Sequence, residues 1–107
     1  MDNADKEYYV YIDPAVNDRM AEHLEFLARI SEDAAERLLN ELMAGIRSLK
    51  TMPFRYPVYN RPYLPLDKYR SLVIKKRYTI VYLIDGDCIY IDDIQDSRQS
   101  DDKNLLY

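Results

Sequence analysis

Between Tyr69 and Gln99 the chain reads YRSLVIKKRYTIVYLIDGDCIYIDDIQDSRQ, and this run most narrows the folds open to it. Three stretches rich in β-branched and aromatic residues follow one another, separated only by Lys75-Lys76-Arg77 and by Asp85-Gly86. Such spacing predicts consecutive antiparallel strands joined by hairpins. The expected strands are Arg70–Lys76, Tyr78–Ile84 and Cys88–Ile94. In the second of these, Tyr78, Ile80, Tyr82 and Ile84 share one face, and Thr79, Val81 and Leu83 share the other. Both faces are apolar, which suits an interior strand. Asp-Gly favours the positive φ that two-residue turns require. The alternation slips at Asp92-Asp93, which predicts a bulge or an exposed edge in the last strand.

Upstream, Tyr8–Ile12 (YYVYI) has strand composition. Asp13-Pro14 then opens a helix: the Asp carboxylate caps free N–H groups, and Pro at the first position forgoes an N–H that has no partner there. Val16, Met20, Leu24 and Leu27 recur at helical spacing, with Phe26 and Ile30 widening the stripe. Ser31 starts a second helix, with Glu32 and Asp33 placed at the positive end of its dipole. Ala34, Leu38, Leu42, Ile46 and Leu49 line its apolar face, broadened by Leu39 and Met43. The order is β-α-α-β-β-β. It predicts an α+β fold: a mostly antiparallel four-stranded sheet with an αα-hairpin packed on one face and the opposite face open.

Met52–Asp67 contains Pro53, Pro57, Pro62 and Pro65 and reads as a loop. It interleaves Phe54, Tyr56, Tyr59 and Tyr63 with Arg55 and Arg61. Aromatics of this kind either pin the loop to the domain or stack on a partner. Phe54 and Tyr56 favour pinning, whereas Tyr59 and Tyr63 suit both roles equally. His23 reads as a structural or surface residue, since no partner constellation accompanies it. Cys88 reads as a strand residue rather than a reactive thiol.

The totals exclude several classes. At 107 residues one domain is expected. One cysteine permits no internal disulfide, which fits a reducing cytoplasm. One histidine and one cysteine make no zinc site of the usual type. No apolar run reaches membrane-spanning length, and the first residues resemble no secretory leader. The net charge of −4 conceals a segregation. Residues 55–77 carry seven basic side chains against Asp67 alone. Residues 85–102 carry seven aspartates against Arg98 alone. A local positive surface is therefore compatible with an acidic protein.

Taken with the element order, Phe54-Arg55-Tyr56-Pro57, Tyr69-Arg70, Tyr82, Asp85-Gly86 and Ser97-Arg98-Gln99 resemble the RelE/ParE superfamily of bacterial toxins. The resemblance covers essentially the whole chain and implies the toxin of a type II toxin–antitoxin module. It implies a cognate antitoxin as partner, contact with DNA only indirectly through that antitoxin, no membrane, no cofactor and no metal. The RelE-like branch cleaves mRNA on the ribosome. The ParE-like branch is associated with inhibition of DNA gyrase.

RNA cleavage needs an activated 2′-OH, a stabilised phosphorane and a protonated leaving oxygen. Under a nuclease reading, Arg70, Arg98 and Tyr107 would be the catalytic candidates. RelE-like nucleases carry a prominent arginine directly after the tyrosine that begins the third strand. Here Thr79 follows Tyr78, and a hydroxyl cannot replace a guanidinium at a phosphorane. The acidic balance is also unlike ribosome-dependent nucleases. The ParE-like reading is therefore preferred, with Arg70, Lys75, Lys76, Arg77, Arg98, Tyr59 and Tyr63 as expected target contacts. A third reading is an inactive member that only binds an antitoxin and helps it repress their operon.

Overall fold

In the computed structural model, which describes residues 6–96, four strands pair in the order β1-β4-β3-β2. They are β1 (Tyr9–Ile12), β2 (Tyr69–Ile74), β3 (Tyr78–Asp85) and β4 (Cys88–Asp96). Two helices, α1 (Pro14–Ile30) and α2 (Glu32–Leu49), come between β1 and β2. The β2–β3 and β3–β4 pairs are antiparallel, and β1 joins β4 in parallel. The α+β fold with an αα-hairpin is therefore present. The sheet is mixed, and the connection from β1 to the rest is long enough for a parallel pair.

The helix boundaries follow from the caps. Asp13 Oδ1 accepts from the Ala15 N–H at 2.8 Å, and Pro14 sits in the first turn. Ser31 serves both helices. Its N–H donates to Leu27 O at 2.8 Å, while its Oγ accepts from the Ala34 N–H at 3.1 Å. With φ −159° and ψ 114° it is extended. One residue thus ends α1, turns the chain and starts α2.

The core lies between the helical hairpin and one face of the sheet. Val16, Met20, Leu38, Leu42, Ile46 and Leu49 meet Leu72, Ile74, Tyr78, Ile80, Tyr82, Ile89, Ile91 and Ile94. Gly45 permits this approach. A Cβ there would lie 2.7 Å from Ile74 Cδ1 and 3.0 Å from Leu72 Cδ2. Phe26, Ile30, Leu39 and Met43 do not widen the buried stripes as expected but are exposed on the helices. They lie off the buried stripes, which hold Val16 and Met20 on α1 and Leu38, Leu42, Ile46 and Leu49 on α2.

Two strand expectations change and a third is resolved. β2 stops at Ile74 instead of Lys76, because Lys75 and Lys76 take positive φ (54° and 59°). The Arg77 N–H closes that turn on Ile74 O at 3.0 Å. The second turn falls on Gly86-Asp87, with Asp85 still paired to Cys88 and Gly86 at φ 60°. β4 contains the predicted bulge, since Asp93 pairs with Val81 and Ile91 with Tyr82, leaving Asp92 over. It is not an edge strand, however, because β1 pairs along its other side.

Candidate functional site

Alternation along the strands assigns residues to the sheet's second face. Tyr9 and Tyr11 of β1, Val81 of β3, and Tyr90 and Gln95 of β4 point away from the helices. Among the described residues no helix covers this side, yet it is not bare. The loop after α2 folds back across one end of it. The Tyr59 N–H donates to Tyr69 O at 2.7 Å, and the Ser71 N–H donates to Pro57 O at 3.0 Å. These bonds cap the outer edge of β2, with Val58 bridging Arg70. Asn60 and Asp67 then close the loop. Asn60 Nδ2 donates to Asp67 Oδ1 at 2.9 Å, and the Asp67 N–H donates to Asn60 Oδ1 at 2.7 Å.

The folded-back loop roofs a cleft of about 360 Å³. Tyr59, Tyr63, Leu64 and Tyr69 form its walls, Val81 lies at its base, and Arg19, Asp92, Asp93 and Gln95 supply its polar groups. The Tyr59 hydroxyl donates to Gln95 Oε1 at 3.0 Å, and Gln95 Nε2 donates to Asp93 Oδ2 at 3.0 Å. The Tyr69 hydroxyl donates to Asp92 Oδ2 at 2.9 Å. Arg19 reaches in from α1, paired with the Asp93 carboxylate and donating to Ile94 O at 3.1 Å. Burial raises the pKa of Tyr59 and of Tyr69, and in Tyr69 the Asp92 carboxylate adds to the effect. Both phenols therefore stay protonated donors at neutral pH.

At the opposite end, Tyr11 stacks on Tyr90 with ring centroids 5.6 Å apart, and Tyr9 is exposed beside them. A second groove of about 360 Å³ follows β1, lined by Glu7, Tyr8, Tyr9, Val10, Tyr11 and Lys50. The Tyr9 and Asp13 N–H groups point to β4, donating to Asp87 O and Ile91 O. Val10 and Ile12 therefore direct their backbone polar groups outward. Tyr8, also outward, has its N–H bonded to Lys50 O at 2.8 Å. The β1 edge thus differs from the capped β2 edge: it can still accept another strand.

A family model described as the ParE toxin of the type II toxin–antitoxin system, parDE, matches residues 10–100. The chain belongs to the ParE toxin family. No curated protein matches it in sequence comparison.

The residues expected to form this ParE-family toxin's contact surface do not lie together. Arg70 shares the helix-covered side of the sheet with Leu72 and Ile74. Its guanidinium donates to Tyr56 O at 2.6 Å and Phe54 O at 3.3 Å and lies over the Phe54 ring. Beside it, the fully buried Tyr82 donates to Pro53 O at 2.5 Å, and burial pushes its pKa far up. Tyr56 bonds Ser48 Oγ on α2 at 2.8 Å. Arg70, Tyr82 and Tyr56 therefore bind the Phe54-Arg55-Tyr56-Pro57 stretch to the domain.

Lys75 and Lys76 occupy the hairpin tip, about 17 Å along the strand from Arg70 at about 3.3 Å per residue. Arg77 pairs with the buried Asp96 at 3.3 Å and covers the Tyr78 ring. Tyr59 is buried beneath Arg61, and Tyr63 is exposed at the mouth of the cleft. Arg98 and Tyr107 lie outside the described residues. Thr79 is on the helix-free side. The sequence reading missed Arg19, Asp92, Asp93 and Gln95. The slipped alternation at Asp92-Asp93 was the available signal, because the bulge aims these carboxylates at the cleft.

Proposed function

We propose that the protein is a cytoplasmic toxin that inhibits its target, DNA gyrase, by binding, and that a cognate antitoxin neutralises it. The observation carrying this reading is the commitment of Arg70. Its Nη1 donates to two backbone carbonyls of the protein's own loop and its guanidinium lies over the Phe54 ring, which supports a structural role rather than one at a phosphate. Thr79 stands where the related nucleases place a guanidinium, which supports the same conclusion. Contact with the target is assigned to the helix-free face, Tyr63 and the Lys75-Lys76 tip. The open β1 edge suits an extended antitoxin segment, which would add as a fifth strand through main-chain hydrogen bonds.

Expression in bacteria, with and without the neighbouring antitoxin gene, tests the pairing. Growth arrest relieved by the antitoxin is the expected result. Purified toxin is expected to reduce gyrase supercoiling and to leave programmed ribosomes without A-site mRNA cuts. Cuts on the ribosome would instead establish the nuclease reading. Normal growth at high soluble yield would leave only an antitoxin-binding role.

A further inference from the structure

The tyrosine cleft has a composition that suits one kind of guest. Its walls are phenol rings, its base is Val81, and its carboxylates are unequal in what they already hold. Asp93 is neutralised by Arg19 and also accepts from the Ile94 N–H. Asp92, the extra residue of the bulge, accepts one hydroxyl from Tyr69 and has no cation beside it among the described residues. One carboxylate facing aromatic walls matches a planar cation that stacks and hydrogen-bonds together. The chain itself shows this contact: the Arg61 guanidinium carbon lies 4.0 Å from the centre of the Tyr59 ring. The volume of about 360 Å³ is ample for one long side chain.

We propose that this cleft receives an arginine side chain of the antitoxin, with the guanidinium between Tyr63 and Tyr69 and hydrogen-bonded to Asp92. Assigning the antitoxin as donor rests on the toxin reading above, whereas the preference for a guanidinium rests on the cleft alone. An ammonium fits less well, because it cannot stack flat on a phenol while donating a pair of parallel bonds to a carboxylate.

The test uses the full chain and two probes, N-acetyl-arginine-amide and its uncharged isostere N-acetyl-citrulline-amide. Binding is followed through the backbone amide NMR signals of Val81 and Gln95. The arginine probe is expected to bind roughly tenfold more tightly, the effect of one charge-assisted hydrogen bond. Asp92→Asn, which retains an acceptor for Tyr69, is expected to abolish that preference. It is also expected to weaken the antitoxin complex roughly tenfold. Equal binding of the two probes, or an unchanged preference in Asp92→Asn, overturns the cleft assignment. A cleft that prefers arginine, combined with an antitoxin affinity insensitive to Asp92→Asn, overturns the antitoxin as donor. A gain in probe affinity on Arg98→Ala makes the chain's own arginine the occupant and overturns the proposal. If no antitoxin binds the chain at all, the toxin reading fails, while the probe comparison still decides the chemistry of the cleft.

Discussion

The two faces of the sheet use tyrosine in opposite ways. On the helix side, Tyr78 and Tyr82 are buried, and the Tyr82 hydroxyl is spent on a loop carbonyl. On the other side, Tyr9, Tyr11 and Tyr63 are exposed, and Tyr69 bonds a carboxylate at the surface. A phenol can serve either as core filler with one satisfied polar atom or as an amphipathic contact that leaves an edge for a partner. For the strand tyrosines, position in the β-alternation decides which. Stability should therefore be concentrated on one face and binding on the other.

The sharpest way to break this contrast is Tyr82→Ala. Removing a fully buried ring is expected to cost about 3–5 kcal/mol in urea unfolding, with helix and loop packing lost together. A cost below about 1 kcal/mol would mean that the helix-covered face is not the core. Gly45→Val forces a branched side chain against Ile74 and Leu72, and is expected to cost about 1–3 kcal/mol in thermal melts.

Tyr82→Phe keeps the ring but orphans the Pro53 carbonyl, so about 1–2 kcal/mol should be lost at neutral pH. The same residue sets an alkaline limit. Its pKa is raised by burial, so the folded state favours the neutral phenol. That contribution is complete below the ordinary tyrosine pKa of about 10 and is lost as pH rises beyond it. The wild-type chain should destabilise more steeply above about pH 10 than Tyr82→Phe does, as followed by circular dichroism.

A smaller effect, of opposite sign, is expected at the first hairpin. Lys75 and Lys76 both hold positive φ, which side chains bearing a Cβ resist. Lys75→Asn with Lys76→Gly should raise stability by about 1 kcal/mol. If the Lys75-Lys76 tip contacts the target, the same pair should weaken gyrase inhibition while the fold becomes firmer. Tyr63→Ala sharpens the comparison from the exposed face. It should change stability by no more than about 0.5 kcal/mol, while weakening antitoxin binding measurably by calorimetry.

Much of the fold was legible because its signals are local. Asp13-Pro14 and Ser31 start helices through contacts within three residues. The apolar positions of β3 alternate with a period that needs no tertiary information. The candidate site was legible only in part. Tyr59 and Tyr63 stood out as aromatics in a Pro-rich loop, and both line the cleft. Arg70 stood out as a basic residue entering a strand, but its guanidinium answers two carbonyls fourteen and sixteen residues earlier in the chain. No window of sequence shows that demand. The slip at Asp92-Asp93 read as either a bulge or an exposed edge, because charged pairs often mark an edge. A bulge in an interior strand produces the same break in the alternation.

The sequence by itself determined where helices begin, which strands form hairpins and which family the chain resembles, since each depends on neighbouring residues and on periods of 2 and 3.6. Only the tertiary structure decided that β1 docks beside β4, that the loop roofs one end of the helix-free face, and that Arg70 serves the loop while Asp92 faces the cleft. Those outcomes depend on which distant backbone groups find one another when the sheet closes, a long-range choice that local preference does not encode.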